Sequence, residues 1–362
     1  MHNGTTLRRR IGATLPALLL GLAVLPFTAP AAAQSTTGNS GYEALFDNTL
    51  GTQTRAPRNF EIVYDTALER RIARIADSSK GRIGVAAIDL SSGEQVSILG
   101  DQRFPMASTS KVAIAATFLA GVDSGKFTLT REYPLLVPVR SAKYSSVVAP
   151  VREGNYISAQ RHLELMISKS CNACTDALLR VVGGPEAVNS YMQAAGIRDF
   201  QLTRNIATLV RDDGEFDPVV TIDPRDSASP NAMAKLLADI YQGKLLRPNT
   251  RQVLINAMRA TTTGKRRIRS ALPSSANIAH KTGTLSRTAS DIGIFQTPDG
   301  RAVALAIYVT GQSENLADES TNKRRSRSLR DNRISAIARE VYDAFASRNA
   351  RGMTNVGYGS GG

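Results

Sequence analysis

The order of strand and helix patterns along the chain constrains its fold more than any other feature. Near the start, two apolar runs at 82–90 and 95–99 flank the turn Ser91-Ser92-Gly93-Glu94, which predicts a β-hairpin. Near the end, strand patterns return at 277–284, 291–296 and 302–309. Helical patterns lie between them. Pairing the terminal strands into one antiparallel sheet, with flanking helices and an inserted all-helical lobe, predicts an α+β fold. The groove between the two lobes is the predicted site.

The helical patterns define the inserted lobe. Residues Ser108 to Val122 are almost wholly apolar and rich in alanine, which predicts a buried helix. The other predicted helices lie at 66–77, 160–181, 185–195, 230–242, 250–259 and 334–347. We therefore expect one domain over about 59–349, with a sheet lobe at about 59–107 and 275–349 and a helical lobe at about 108–274.

The first 33 residues have the pattern of a secretory signal peptide. Arginines at 8–10 precede the apolar run Leu15–Phe27, which is followed by Ala31-Ala32-Ala33. Prolines interrupt this run, and it is too short for a good membrane span. We expect export to the periplasm or the medium, by the general or the twin-arginine route, with no stable membrane anchor. Residues 34–58 are predicted to be a flexible linker and residues 350–362 a disordered tail.

The chain carries a formal net charge of +14, which raises the question of a nucleic-acid partner. The basic residues are spread along the chain, apart from a run between Lys323 and Arg330. In an exported protein this favours a basic, solvated surface over nucleic-acid binding. We expect a monomer with a small-molecule substrate and no metal or other cofactor.

The strongest chemical motif opens the buried helix. Ser108 and Lys111 form S-x-x-K, and residues one helical turn apart share a face. A desolvated lysine can act as the base that a serine nucleophile needs. The helix amino terminus adds backbone N–H groups suited to an oxyanion. The same pattern recurs at Ser320 and Lys323, in a predicted polar loop, where we assign it no function.

Two further motifs follow in order. Ser170 and Asn172 form S-x-N, and Lys281-Thr282-Gly283-Thr284 forms K-T-G-T on a predicted strand. The set S-x-x-K, S-x-N and K-T-G is that of class A β-lactamases and penicillin-binding proteins. Over roughly 60–347 the chain resembles a class A serine β-lactamase, and the stretches at 223–233 and 261–273 also match that family.

The resemblance implies a role for each motif residue. Ser108 matches the acylated nucleophile, Lys111 its base or proton relay, and Ser170 the donor to the departing lactam nitrogen. Asn172 would hold the substrate's side-chain amide. The remaining matches are Lys281, which would lower the pKa values of its neighbours; Thr282 and Thr284, which would bind the substrate carboxylate; the backbone N–H groups of Ser108 and Thr284, as the oxyanion hole; Arg267, near that carboxylate; and Tyr144, at the cleft mouth.

The loop that should supply the deacylation base departs from the family pattern. The family uses a glutamate there, and counting back from Asp226 places Asp213 at its position. Aspartate is one methylene shorter, and Glu215 is the alternative base. Asp176 stands where many members have an asparagine that supports the glutamate. If Asp176 lies near Asp213, like-charge repulsion should raise the pKa of one of them. The interval between S-x-x-K and S-x-N is also long, which predicts an atypical loop around 131–158.

Three functions share these motifs and differ in deacylation. The first is a β-lactamase, in which water releases the acyl group from Ser108. The second is a DD-peptidase or penicillin-binding enzyme that acts on peptidoglycan stem peptides. The third is a β-lactam-binding protein that remains acylated. The acidic loop favours the first.

The only two cysteines, Cys171 and Cys174, raise a competing hypothesis of thiol chemistry. A redox C-x-x-C belongs after a strand in a βαβ unit, whereas this pair lies in a helical pattern. On a regular helix the Cβ atoms would be about 5–6 Å apart, against about 3.8 Å in a disulfide, so a bond would need local distortion. Zinc would have to recruit His162 and His280 at unusual spacing. We therefore favour the serine-enzyme interpretation and leave open whether the cysteines are bonded.

Overall fold

The computed structural model describes residues 63–347, except 65 and 78. The predicted signal peptide, linker and carboxy-terminal tail lie outside the described residues.

A six-stranded sheet forms the centre of the sheet lobe, with strand order β1-β3-β2-β11-β10-β9. Neighbouring strands are antiparallel, except that β1 runs parallel to β3. Two small sheets, β4-β8-β7 and β5-β6, complete the described strands. The bounds are β1 Val63–Tyr64, β2 Ile83–Asp89, β3 Glu94–Ile98, β4 Phe104–Pro105, β5 Glu132–Pro138, β6 Val151–Ser158, β7 Phe200–Gln201, β8 Ser227–Ala228, β9 Ala279–Leu285, β10 Thr288–Gln296 and β11 Ala302–Thr310.

Most helices lie between β4 and β9 in the chain, and the others flank the sheet. Their bounds are α1 Thr66–Asp77, α2 Lys111–Asp123, α3 Ala159–Ser168, α4 Asn172–Val182, α5 Pro185–Ala194, α6 Ile206–Arg211, α7 Pro230–Tyr241, α8 Pro248–Arg259, α9 Ile268–Ala271, α10 Leu316–Thr321 and α11 Lys323–Ala346. Short 3₁₀ turns occupy Ala107–Ser110 and Ser274–Ala276. The predicted α+β fold is confirmed.

Successive side chains of a strand point to opposite faces of the sheet. Every residue of β11 is buried, so both faces of the sheet are covered there. On β11, Val303 and Leu305 belong to the core cluster that also contains apolar side chains of α1 and α11. Ala304 and Ala306 belong to the second cluster, which continues into the helical lobe. Helix α2 is buried in that second cluster, as its apolar sequence predicts. The motif at the start of α2 is therefore fixed between the sheet and the helical lobe.

Three local predictions were wrong. The helix predicted at 160–181 is two helices, α3 and α4, separated at Lys169–Cys171, where Ser170 has a φ of 59°. The last helix begins at Lys323, eleven residues before the predicted 334, so the basic run is helical. The predicted polar loop around Ser320 is also helical, as α10. In α11, Arg330 is buried and ion-paired with Glu319 of α10, which explains how a charged run joins a packed helix.

The predicted atypical loop around 131–158 contains an extra β-hairpin. Strands β5 and β6 pair antiparallel, with an irregularity in register between Pro134 and Leu136. The segment that joins them, 139–150, is mostly exposed. This hairpin and its connecting segment form one wall beside the predicted site.

No helix within the described part of the chain is long and apolar enough to cross a bilayer.

Candidate active site

Ser108 lies in the 3₁₀ turn that leads into α2, and its side chain is half-buried. Strand β9 approaches this turn closely at Gly283. A Cβ atom there would lie 2.7 Å from the Met106 carbonyl oxygen and 3.1 Å from the Ala107 Cβ atom. Such a contact with backbone leaves no room for a larger residue. Gly283 therefore allows the K-T-G strand to pack against the turn that carries Ser108.

Lys111 is fully buried, and its amine joins α2 to the segment before α4. Its Nζ atom donates to the Ser170 carbonyl oxygen at 2.8 Å, to the Asn172 Oδ1 atom at 2.7 Å and to the Ser170 Oγ atom at 3.2 Å. Burial holds the pKa of Lys111 well below its usual range, and Lys281 lowers this pKa further, while Asp176 raises it. A lysine in such a site is more readily neutral, as a general base must be.

Lys281 approaches the same hydroxyl from strand β9. Its Nζ atom lies 3.0 Å from the Ser170 Oγ atom and 2.8 Å from the Thr282 carbonyl oxygen. Burial lowers the pKa of Lys281 to about 7; Asp291 raises this pKa and Arg267 lowers it. The Ser170 hydroxyl thus lies between two buried amines. Within the described residues the Lys111 amine has no hydrogen bond to Ser108, which lies one turn earlier on the same helical face.

The two cysteines are bonded to each other, with a Cα–Cα distance of 5.3 Å. Cys171 is the N-cap of α4, with φ −55° and ψ 115°, so it lies outside the regular helix. The distortion required for a disulfide is this cap together with the left-handed Ser170. His162 contacts the Tyr133 carbonyl oxygen and the backbone of Cys174, and His280 contacts Asp291, so neither histidine is paired with a cysteine sulfur.

The S-x-N segment is held by its middle residue, Cys171. The backbone N–H of Cys171 donates to the Leu165 carbonyl oxygen, and the hydroxyl of Thr175 donates to the Cys171 carbonyl oxygen. The Cys171 Sγ atom also accepts from the Cys174 amide at 3.1 Å, as an N-cap side chain does. The disulfide therefore belongs to the support of Ser170 and Asn172.

Two threonines on β9, Thr282 and Thr284, are the residues predicted to bind the substrate carboxylate. The Thr282 and Thr263 hydroxyl oxygens are 2.6 Å apart, and the Thr284 hydroxyl oxygen accepts from the Arg267 Nη2 atom at 2.7 Å. The contact between Thr263 and Thr282 was not predicted from the sequence. The run of three threonines at 261–263 was the only indication of a polar side chain beside β9.

Arg267 is buried, and every nitrogen of its guanidinium has a partner in the protein. Nη1 donates to the carbonyl oxygens of Gly283 and Ser290, while Nε pairs with Asp331 at 2.7 Å. Arg267 was expected near the substrate carboxylate. In this structure Arg267 contacts the predicted carboxylate-binding residues only by donating to the Thr284 hydroxyl.

The predicted deacylation base, Asp213, lies at the far end of β9. Its two carboxylate oxygens accept from the Ser286 amide at 2.9 and 3.0 Å. Burial raises the pKa of Asp213, and the Ser286 amide and Lys143 partly oppose this rise. The alternative base, Glu215, is ion-paired with Arg225 at 2.7 Å.

Asp176 does not contact Asp213. Its oxygens accept from the backbone amides of Ile206 at 2.6 Å and Ala207 at 2.9 Å. Burial raises the pKa of Asp176 to about 6, whereas Asp213 has no part in that rise. The two acids are therefore not close enough for the like-charge repulsion that proximity would have caused. The residue at the Asp176 position was expected to support the deacylation base. The segment that Asp176 supports here carries Ile206, whose side chain is apolar and cannot act as a base.

The ion pairs of the acidic loop explain why Asp213 does not lie beside Asp176. Asp226 pairs with Arg204 at 2.5 Å, while Arg211, the residue 15 positions before Asp226, pairs with Asp212 at 2.8 Å. The loop closed by the Arg204–Asp226 pair begins seven residues earlier than a loop that began at Arg211, and Asp213 lies inside it, away from Asp176. No local sequence signal distinguishes Arg204 from Arg211.

Tyr144, predicted at the cleft mouth, is 53% exposed and has a φ of 57°. Its amide donates to the Asp212 carboxylate at 2.7 Å, and the Lys143 amine lies 5.9 Å from its ring centroid. The same carboxylate binds Arg211, so one acid connects the 139–150 segment with α6.

Comparison with known proteins identifies the family. The model of the β-lactamase enzyme family matches residues 67–345. The chain belongs to this family. Among curated members it is 28% identical to β-lactamase VEB-1 of Pseudomonas aeruginosa, with 70% of this chain and 87% of that protein aligned. It is 31% identical to β-lactamase CTX-M-8 of Citrobacter amalonaticus, with 69% and 83% aligned.

Solved structures of class A β-lactamases have the same fold. An ancestral (GNCA) class A β-lactamase superposes with a TM-score of 0.63 at 30% identity, covering 77% of this chain and all of that one. A β-lactamase from Chitinophaga pinensis superposes with a TM-score of 0.65 at 28% identity, with the same coverage. The predicted class A resemblance is confirmed.

Proposed function

We propose that the chain is an exported serine β-lactamase that confers β-lactam resistance by hydrolysing the lactam amide through an acyl-enzyme on Ser108. The observation that carries this proposal is the Ser170 hydroxyl held between the amines of Lys111 and Lys281. Membership of the family supports the hydrolase class.

In the acylation step, neutral Lys111 accepts the Ser108 proton while the serine oxygen attacks the lactam carbonyl carbon. The tetrahedral oxyanion is bound by the backbone N–H groups of Ser108 and Thr284. The C–N bond then breaks, and Ser170 donates a proton to the departing nitrogen. The amines on either side of Ser170 support this role, because either can return a proton to its hydroxyl.

Substrate binding uses the other motif residues. Asn172 holds the side-chain amide, while protonated Lys281 and the hydroxyls of Thr282 and Thr284 bind the carboxylate. Arg267 positions Thr284, with which it shares a hydrogen bond.

In the deacylation step, an ionised carboxylate must act as a base and take a proton from the water molecule that attacks the acyl carbonyl carbon. We assign this role to Asp213 in preference to Glu215, which is already neutralised by Arg225. Asp213 faces a cavity of about 60 Å³, which has room for water.

One observation favours a second candidate, a protein that is acylated and deacylates slowly. The segment supported by Asp176 presents Ile206 in place of an acid, and Asp213 is bound to the Ser286 amide at the end of β9. In this candidate Ser108 and its neighbours work as above, and release of the acyl group limits turnover.

The test is steady-state hydrolysis of a chromogenic cephalosporin by the purified protein, with Ser108→Ala as the matched control. We expect many turnovers per protein molecule and none in Ser108→Ala. A single turnover supports the second candidate. Release of D-alanine from a D-alanyl-D-alanine stem peptide, without cephalosporin turnover, supports a DD-peptidase.

A further inference from the structure

A large cavity opens beside Asn172, the residue predicted to hold the side-chain amide of the substrate. Its volume is about 810 Å³. One wall is the segment after β5, including Val139, Arg140 and Lys143, and the other is α6 with Ile206 and Val210. A substituent attached to an amide held by Asn172 would therefore extend into this space.

The charged lining of the cavity is basic. Arg140, Lys143 and Arg211 line it, and no acidic side chain does so within the described residues. Arg211 is neutralised by Asp212, and its Nη atoms donate to the carbonyl oxygens of Ser145 and Val147.

The other two cations remain open to a ligand. Arg140 and Lys143 are both exposed, and neither forms a salt bridge within the described part of the chain. Lys143 lowers the pKa of Asp213 without contacting it. Two cations without a salt-bridge partner among the described residues therefore line the cavity.

The apolar part of the lining is also exposed. Val139 is 42% exposed and Val210 is 49% exposed, on opposite walls. Apolar surface beside unpaired cations matches a ligand that has an apolar body and an anionic group.

We propose that this basic pocket binds the acyl side chain of the substrate and favours β-lactams whose side chain carries a carboxylate or another anion. The basic pocket is Val139, Arg140, Lys143, Asn172, Ile206 and Val210. The apolar body lies between the two valines, and the anion binds Arg140 and Lys143. This inference rests on the proposed function, because it concerns the substrate of the same site.

Benzylpenicillin and carbenicillin are a matched pair of probes, because they differ by one side-chain carboxylate. The quantity to measure is the ratio of kcat/KM for carbenicillin to that for benzylpenicillin, in the wild type, Arg140→Gln, Lys143→Gln and the double variant. The control is Lys126→Gln/Arg247→Gln, which removes the same charge beyond the carboxyl end of α2. Thermal unfolding of each variant verifies folding.

We expect the ratio to fall about 2-fold for each cation removed and about 4-fold for both, as for exposed ion pairs. Added salt should lower the wild-type ratio and leave the double variant unchanged. The control double variant should keep the wild-type ratio. An equal change for both substrates, or the same ratio change in the control, overturns the inference.

The outcomes separate this inference from the proposed function. Turnover of both penicillins with an unchanged ratio overturns only the basic pocket. If neither is turned over, the proposed hydrolysis fails, and the same ratio is measured from the rates of Ser108 acylation by intact-protein mass spectrometry. Absence of acylation by either penicillin overturns both.

Discussion

The Nζ atom of Lys281 lies 3.0 Å from the Oγ atom of Ser170. The Lys111 amine lies 3.2 Å from the same oxygen, so one hydroxyl connects two buried amines. Each amine lies in a site where burial favours its neutral form, and the charge of Lys281 also lowers the pKa of Lys111. The proposed mechanism needs opposite states of the two: neutral Lys111 as a base and charged Lys281 for the substrate carboxylate.

The first prediction follows from the pKa of Lys281, which is about 7. A lysine loses its charge as pH rises through its pKa, so kcat/KM should fall on the alkaline side of about pH 7. Arginine stays charged throughout this range. In Lys281→Arg the alkaline fall should disappear, whatever the absolute rate. Profiles of kcat/KM against pH for both proteins measure this, and an unchanged alkaline limb in Lys281→Arg would assign the limb to another group.

The second prediction concerns the deacylation base. Asp213→Asn should slow deacylation about 100-fold or more and leave acylation nearly unchanged, because only the attack of water needs the Asp213 carboxylate as a base. Stopped-flow acylation and the decay of the acyl-enzyme by mass spectrometry separate the two steps. Glu215→Gln is the matched control and should keep the wild-type deacylation rate. The reverse pattern would move the role to Glu215.

The third prediction concerns Asp176 and stability. Burial raises its pKa from the ordinary 3.8 to about 6, so between these values the folded state binds more protons than the unfolded state. The free energy of unfolding contributed by Asp176 should then fall by about 3 kcal/mol as pH rises from below 4 to above 6.

Urea unfolding of the wild type and Asp176→Asn across this range measures the effect, because other titrations cancel in the difference. The stability of the wild type relative to the variant should decline with rising pH. A difference that stays constant, or rises with pH, contradicts the assignment.

The fourth prediction concerns the bond between Cys171 and Cys174. The variant Cys171→Ser/Cys174→Ser removes the covalent bridge, while the hydroxyl introduced by Cys171→Ser can still cap α4. We expect the free energy of unfolding to fall by about 2 kcal/mol, the entropic estimate for so short a loop. Because the bridge supports Ser170 and Asn172, kcat/KM should fall about 10-fold.

Urea unfolding and cephalosporin turnover, with and without a reductant, check this prediction. The reductant should lower the stability and kcat/KM of the wild type to those of the double variant, which should itself not respond. If the reduced wild type keeps its full kcat/KM, the disulfide contributes to stability and not to the positioning of Ser170 and Asn172.

The α+β architecture and the three motifs were predictable because they rest on local patterns. Helix α2 is almost wholly apolar between its ends, and the terminal strands are bounded by turn residues such as Gly93 and Gly300. The residues of S-x-x-K, S-x-N and K-T-G meet because the fold fixes their elements, and the order of the motifs indicates that fold.

Features that depend on contacts distant in the chain were not predictable. The ion pair of Asp226 with Arg204, 22 residues earlier in the chain, depends on three-dimensional packing. The break before α4 depends on a left-handed Ser170, which is not a residue that signals such a conformation. The early start of α11 depends on the buried pair of Arg330 with Glu319.

The most direct test of the proposed mechanism is intact-protein mass spectrometry during reaction with benzylpenicillin, with peptide mapping of the modified residue. The mechanism predicts a covalent adduct on Ser108 that appears while substrate is present and disappears when it is consumed, with many penicillin molecules hydrolysed per protein. Hydrolysis that persists in Ser108→Ala, or a Ser108 adduct that persists after one turnover, would contradict it.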